Sequence, residues 1–134
     1  MARVIEERII EKIHDWKEGD YNLSVRDKVI IEKSKAIYYL WGSPVVTIHK
    51  KTDGKKYLRF CFCGYSSQTT KQRISELLWA FSDKAFIFRK NWIHYLKMGN
   101  NYYKIDETQC YTIRDGILYD SKDNKVEPLE GFKY

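Results

Sequence analysis

Apolar residues at the start of the chain recur at helical spacing. Ile5, Ile9, Ile13 and Trp16 fall on one face of a charged run, which predicts an amphipathic N-terminal helix over residues 3–18, stopped by Gly19. After a polar turn the pattern shortens. Val29-Ile30-Ile31 and residues 36–41 read as strands, and Gly42-Ser43-Pro44 breaks the chain. Residues 45–50 and 57–63 predict a hairpin across a lysine-rich loop holding Asp53-Gly54, with Leu58, Phe60 and Phe62 on one face and Arg59, Cys61 and Cys63 on the other. Helical spacing returns over residues 69–81, where Ile74, Leu77, Leu78 and Phe81 form an apolar stripe and Ser66, Ser67, Thr69 and Thr70 offer N-caps. That stripe would lay the helix across the hairpin sheet, leaving Trp79 to face a partner. Residues 85–89, 92–96 and 102–105 read as further strands, with a turn at Gly99-Asn100-Asn101. The C-terminal part, residues 111–134, holds a second hairpin around Asp115-Gly116 and a tail with little periodicity. The expected fold is a single α+β domain over residues 1–134: an N-terminal helix and a largely antiparallel sheet, with a second helix packed on one face.

Composition narrows the function. A chain of 134 residues can bury one ordinary core. Eleven Tyr, four Trp and six Phe are more rings than such a core hides, so some are expected on ligand or subunit surfaces. The formal charge of +6 favours anionic partners, although acidic residues are interspersed and no long basic run occurs. Residues 1–11 are charged, unlike a secretory leader, and the cysteines number three. A reducing cytosol is therefore the expected setting. No apolar stretch approaches membrane-spanning length.

Candidate chemistry is sparse. Cys61 and Cys63 share a strand face, but Cys110, His14, His49 and His94 fall in other elements, so inert thiols are expected rather than a zinc site. No nucleophile elbow or glycine-rich phosphate loop occurs. Asp106 and Glu107 are neighbours whose side chains diverge in an extended chain, and His49 reads as an ordinary half-exposed strand residue. No enzyme and no cofactor is expected. Anion binding has more support. The run from Ser66 to Arg73 leads into a helix, where free amides, hydroxyls including Thr70, and the charges of Lys71 and Arg73 would favour a phosphate. Simple capping by these hydroxyls accounts for the same residues. The segment from Phe86 to Trp92 interleaves rings, cations and an amide, a mixture suited to a stacked base with a phosphate held by a guanidinium. Strand alternation alone would instead put Phe86 and Phe88 in the core and Arg89 on the opposite face.

The run Gly64-Tyr65-Ser66-Ser67-Gln68-Thr69-Thr70-Lys71-Gln72-Arg73-Ile74 sits between hairpin and helix. With the chain's size, its basic character and the flanking aromatic segment, it resembles the Thoeris anti-defence sponge family of phage proteins. The resemblance implies a homo-oligomer that sequesters a cyclic ADP-ribose signal, without cleaving it, in pockets at subunit interfaces. It also implies that a ring and an amide sandwich the adenine, here Phe81 and Asn91, with Arg89 and Lys90 near the pyrophosphate and Arg73 and Arg114 as further candidates. Some members of that family resemble dual binders that also hold a cyclic oligonucleotide at a basic site, for which Arg26 or Arg114 could serve.

The expected function is capture of a cyclic ADP-ribose isomer or another cyclic nucleotide in the bacterial host cytosol. One alternative is a phage inhibitor of a host defence enzyme, akin to an anti-CRISPR, anchored through Trp79 and tyrosines. A nucleic-acid binder is the third and least favoured reading, because basic clusters are few.

Overall fold

The computed structural model describes residues 4–64, 67–82 and 84–133. Their two helices and ten strands form two antiparallel sheets, an α+β architecture. The first helix, α1 (Val4–Asp15), is shorter than its apolar pattern, because Trp16 turns to a φ of 48°. Its predicted start at residue 3 lies outside the described residues. Ile9 and Ile13 are buried, whereas Trp16 caps the end of the helix and gathers Lys50 and Lys56 over its ring.

The larger sheet runs in the order β1 (Gly19–Asn22), β2 (Asp27–Ile31), β3 (Lys35–Leu40), β4 (Ser43–Lys50), β5 (Lys56–Cys61), β9 (Cys110–Arg114) and β10 (Ile117–Tyr119). Strand β1 lies where the sequence reads as a polar turn; β2 recruits it by antiparallel pairing, which needs no apolar alternation of its own. Helix α2 (Gln68–Phe81) follows β5, and a three-stranded meander of β6 (Phe86–Lys90), β7 (Ile93–Met98) and β8 (Asn101–Ile105) comes before the chain rejoins the larger sheet. The alternation in β6 is the reverse of the expected one. Ile87 enters the core, and Phe86 and Phe88 stand half-buried on the outer face. Ser75 of α2 holds the Ile87 backbone by two hydrogen bonds, which sets the strand with Ile87 rather than its neighbouring rings toward the core.

The core joins both sheets to the helices: Ile74, Leu77 and Leu78 of α2 pack with Phe60 and Phe62 from the β5 region and with Leu96 of β7. No helix among the described residues is long and apolar enough to cross a membrane.

Candidate functional site

Several hairpins turn in two residues, and two of those turns present tryptophan. Leu40 pairs with Ser43, so Trp41 and Gly42 form the β3–β4 turn with φ of 52° and 80°. Positive φ at both central positions is the type I′ signature, which matches strand twist but disfavours a bulky side chain. Trp41 adopts it and remains 68% exposed. Its amide donates to the carbonyl of Arg26 at 2.8 Å, tying this turn to the β1–β2 loop. There the Ser24 hydroxyl accepts from the amides of Arg26 and Asp27 and donates to the Asp27 carboxylate.

The start of α2 closes the third side. Ser67 is the N-cap, and its hydroxyl accepts the Thr70 amide at 3.2 Å and lies 3.0 Å from the Thr70 hydroxyl. Between these three segments is a cavity of about 380 Å³. Leu40, Val45 and Phe62 make its apolar floor; Trp41, Arg26 and Ser43 stand with the hydroxyls of Ser67, Thr69 and Thr70 around it. An apolar floor with a few converging donors is the usual make-up of a small-molecule site. First-turn amides without an intrahelical acceptor add partial positive charge on the α2 side.

A buried ionic network holds these walls. Arg73 is 1% exposed. Its Nε donates to Asp27 Oδ1 at 2.8 Å, its Nη1 to Glu6, and the Tyr38 hydroxyl donates to Asp27. Burial by itself would raise the Asp27 carboxyl, but hydrogen bonds from Arg73, Ser24 and Tyr38 hold it below the ordinary carboxylate range. Burial and the bond to Asp27 push the Tyr38 hydroxyl well up, so it stays protonated. The network thus joins α1, β2, β3 and α2, and it reaches the cavity through Arg26, whose Nε lies 3.6 Å from Asp27 Oδ2.

The sequence candidates separate accordingly. Thr70 and Arg26 meet at the cavity. Arg73 does not: its guanidinium is consumed by two buried carboxylates, which corrects its reading as a ligand contact. Phe81 and Asn91 lie at opposite ends of α2. The Ser75 hydroxyl donates to the Ile87 carbonyl and accepts the Ile87 amide, fixing β6 against mid-helix. From there Phe81 is about 9 Å toward the helix C-terminus, and Asn91 is about 13 Å along the strand the other way. Within one chain they cannot sandwich a base. Phe81 instead packs on His14 of α1, ring centroids 4.7 Å apart. Asn91 and Trp92 form another I′-type turn, φ 52° and 69°, which accounts for an asparagine there. Arg89 stacks over Trp92 at 4.8 Å, and Lys90 donates to the Lys133 carbonyl at 2.7 Å. Arg114 pairs with Asp123 at 2.9 Å and lies over Tyr119. It is four strand spacings from Arg26, about 19 Å, so the two arginines do not share a site. Ser66, a candidate cap, lies outside the described residues.

The thiols are closer than their sequence positions suggest. Cys61 and Cys110 are register partners on β5 and β9, and Cys63 lines the same small cavity of about 170 Å³. All three are free, and burial pushes the Cys63 and Cys110 thiols up, which makes them poor nucleophiles. Among the described residues no three Cys, His, Asp or Glu side chains are arranged to hold a metal ion.

Sequence reasoning missed Trp41, Ser43 and Phe62. The available signal was Trp41-Gly42 between two apolar runs, a hairpin turn whose large ring has no core to fill.

A family model described as Kyanoviridae Gp96 protein matches residues 2–120. No curated protein and no solved structure matches the chain.

Proposed function

The chain belongs to the Kyanoviridae Gp96 protein family, a phage protein family, and on that premise we propose that it is an accessory protein that captures a cyclic ADP-ribose-type signal of host immunity. The observation that carries this reading is the meeting of Trp41, Arg26 and the start of α2 at one cavity of about 380 Å³. Trp41 offers a face for adenine. Arg26, the Thr69 hydroxyl and whichever of the Ser67 and Thr70 hydroxyls does not donate to the other suit a pyrophosphate. The described lining residues include no carboxylate, imidazole, amine or thiol for proton transfer, which favours capture over conversion.

A homo-oligomer belongs to the same reading. Trp41 is 68% exposed and Trp79 50%, and a second copy covering one of these rings would complete a binding wall. Thermal unfolding with a panel of cyclic ADP-ribose isomers, cyclic dinucleotides, ADP-ribose and NAD tests the proposal. One cyclic compound should raise the midpoint by several degrees at saturating concentration and be recovered intact. No shift with any of them would overturn it.

A further inference from the structure

The outer face of the three-stranded sheet is built as a grid of rings and ammonium groups. Strand alternation places Phe86, Phe88 and Lys90 of β6, Tyr95 and Lys97 of β7, and Tyr102 and Lys104 of β8 on one side. The register aligns them in rows: Phe86 beside Lys97 beside Tyr102, and Phe88 beside Tyr95 beside Lys104. Each row therefore holds two rings and one cation. The rings are ordered against one another, Phe88 with Tyr95 at 5.5 Å and Phe86 with Phe88 at 5.9 Å.

The C-terminal segment lies across this face. The Leu129 amide donates to the Tyr102 carbonyl on the outer strand β8, and Lys90 donates to the Lys133 carbonyl. Between these anchors Phe132 sets its ring 4.6 Å from Tyr95 and 4.9 Å from Tyr102. A flat ring, carried just after a turn at Glu130-Gly131, thus already occupies the middle of the grid. This segment also falls beyond the region matched by the family model, which ends at residue 120.

From this placement we infer that the outer face of β6, β7 and β8 binds single-stranded nucleic acid, with Phe132 standing where a base stacks. Tyr95, Tyr102 and Phe88 supply π faces, which accept any base, and Lys97, Lys104 and Lys90 supply the charge that a phosphate backbone requires. A protein partner would be served by rings alone; a cation in each row is complementary to a polyanion. Duplex is disfavoured because its bases are not available to stack. The inference is independent of the cavity at Trp41, which faces the larger sheet and α2.

Fluorescence anisotropy with short dye-labelled oligo-dT and oligo-rU tests it on the full-length chain. Phe132→Ala should bind either strand about fivefold more tightly than wild type, since the competing ring is gone. Lys97→Glu with Lys104→Glu, both on the surface, should weaken binding about tenfold or more and flatten its salt dependence. Preference between the two oligonucleotides identifies the natural strand, and either preference supports the inference. It is overturned if Phe132→Ala binds neither strand, if duplex binds as well as single strands, or if the lysine pair leaves affinity unchanged. Trp41→Ala should have no effect here, so failure of this inference and failure of the nucleotide proposal are separable.

Discussion

Arg73 and Asp27, 46 positions apart in the chain, meet in the core through two hydrogen bonds, Nε to Oδ1 at 2.8 Å and Nη2 to Oδ2 at 3.3 Å. Glu6 takes the remaining side of the guanidinium. Removing one partner from such a cluster leaves buried charge uncompensated, so Arg73→Met is expected to cost about 3–5 kcal/mol. The denaturation midpoint measures this. A midpoint like wild type's would mean that the network contributes nothing to holding α1, β2 and α2 together.

Acid sensitivity follows from the same groups. The Asp27 carboxyl is held low in the folded chain, so the folded state binds fewer protons than the unfolded state in acid. Its stabilisation is present above the unfolded value of about 3.9 and is lost as pH falls through the folded value. His94 and His49 act earlier. Burial lowers both, Lys71 and Arg89 adding to the effect on His94 against the opposing Glu107, and Lys35 and Arg59 adding to it on His49. Their unfolded forms take up protons below about pH 6.5 while the folded forms resist, so stability declines there too. The unfolding midpoint should thus be flat between about pH 7 and 8, fall below about 6.5 and fall again below about 4. In His94→Gln the first decline should shrink.

Three tryptophans, Trp16, Trp41 and Trp92, sit in backbone that suits glycine or asparagine. At the Asn91-Trp92 turn, Trp92 holds a φ of 69° and is 83% exposed, so little packing offsets the strain. Trp92→Gly is expected to stabilise the fold by about 1 kcal/mol. A loss of stability would show that the Arg89–Trp92 stack outweighs the backbone cost. At Asp115-Gly116 the turn already has a favoured sequence, and Gly116→Ala should destabilise by about 1 kcal/mol.

Phe81 and Trp41 should behave as opposites. Phe81 is half-buried against His14, so Phe81→Ala is expected to cost about 2 kcal/mol of stability while leaving ligand affinity within about threefold. Parallel denaturation and binding measurements on the two variants would show whether structure and capture divide in this way.

Much of the architecture was legible because it follows from periodicity. The stripe Ile74-Leu77-Leu78 fixed α2 to within one residue at its start, and Asp115-Gly116 marked its hairpin. Strand β1 was not legible, since Gly19–Asn22 has no apolar alternation and depends on pairing with β2. Nor was the separation of the strands into two sheets, which is set by where β9 re-pairs with β5. At the candidate site, Thr70 and Arg26 could be singled out as polar residues at a helix start and a loop. Arg73 looked equivalent to them, and only the approach of Glu6 and Asp27 from distant segments makes it internal. Phe81 and Asn91 are close in sequence, yet the Ser75–Ile87 bonds send them to opposite ends of α2.

Capture is proposed to rest on Trp41 and Arg26. It is tested most directly by calorimetric titration of cyclic ADP-ribose isomers into wild type, Trp41→Ala and Arg26→Ala. One isomer should bind wild type saturably, with affinity reduced about a hundredfold in Trp41→Ala and at least about tenfold in Arg26→Ala, since stacking and a charge-assisted contact each contribute on that scale. The unfolding midpoints of both variants should stay near wild type's. Wild-type affinity in Trp41→Ala, or no isomer binding to the wild-type protein, would contradict it.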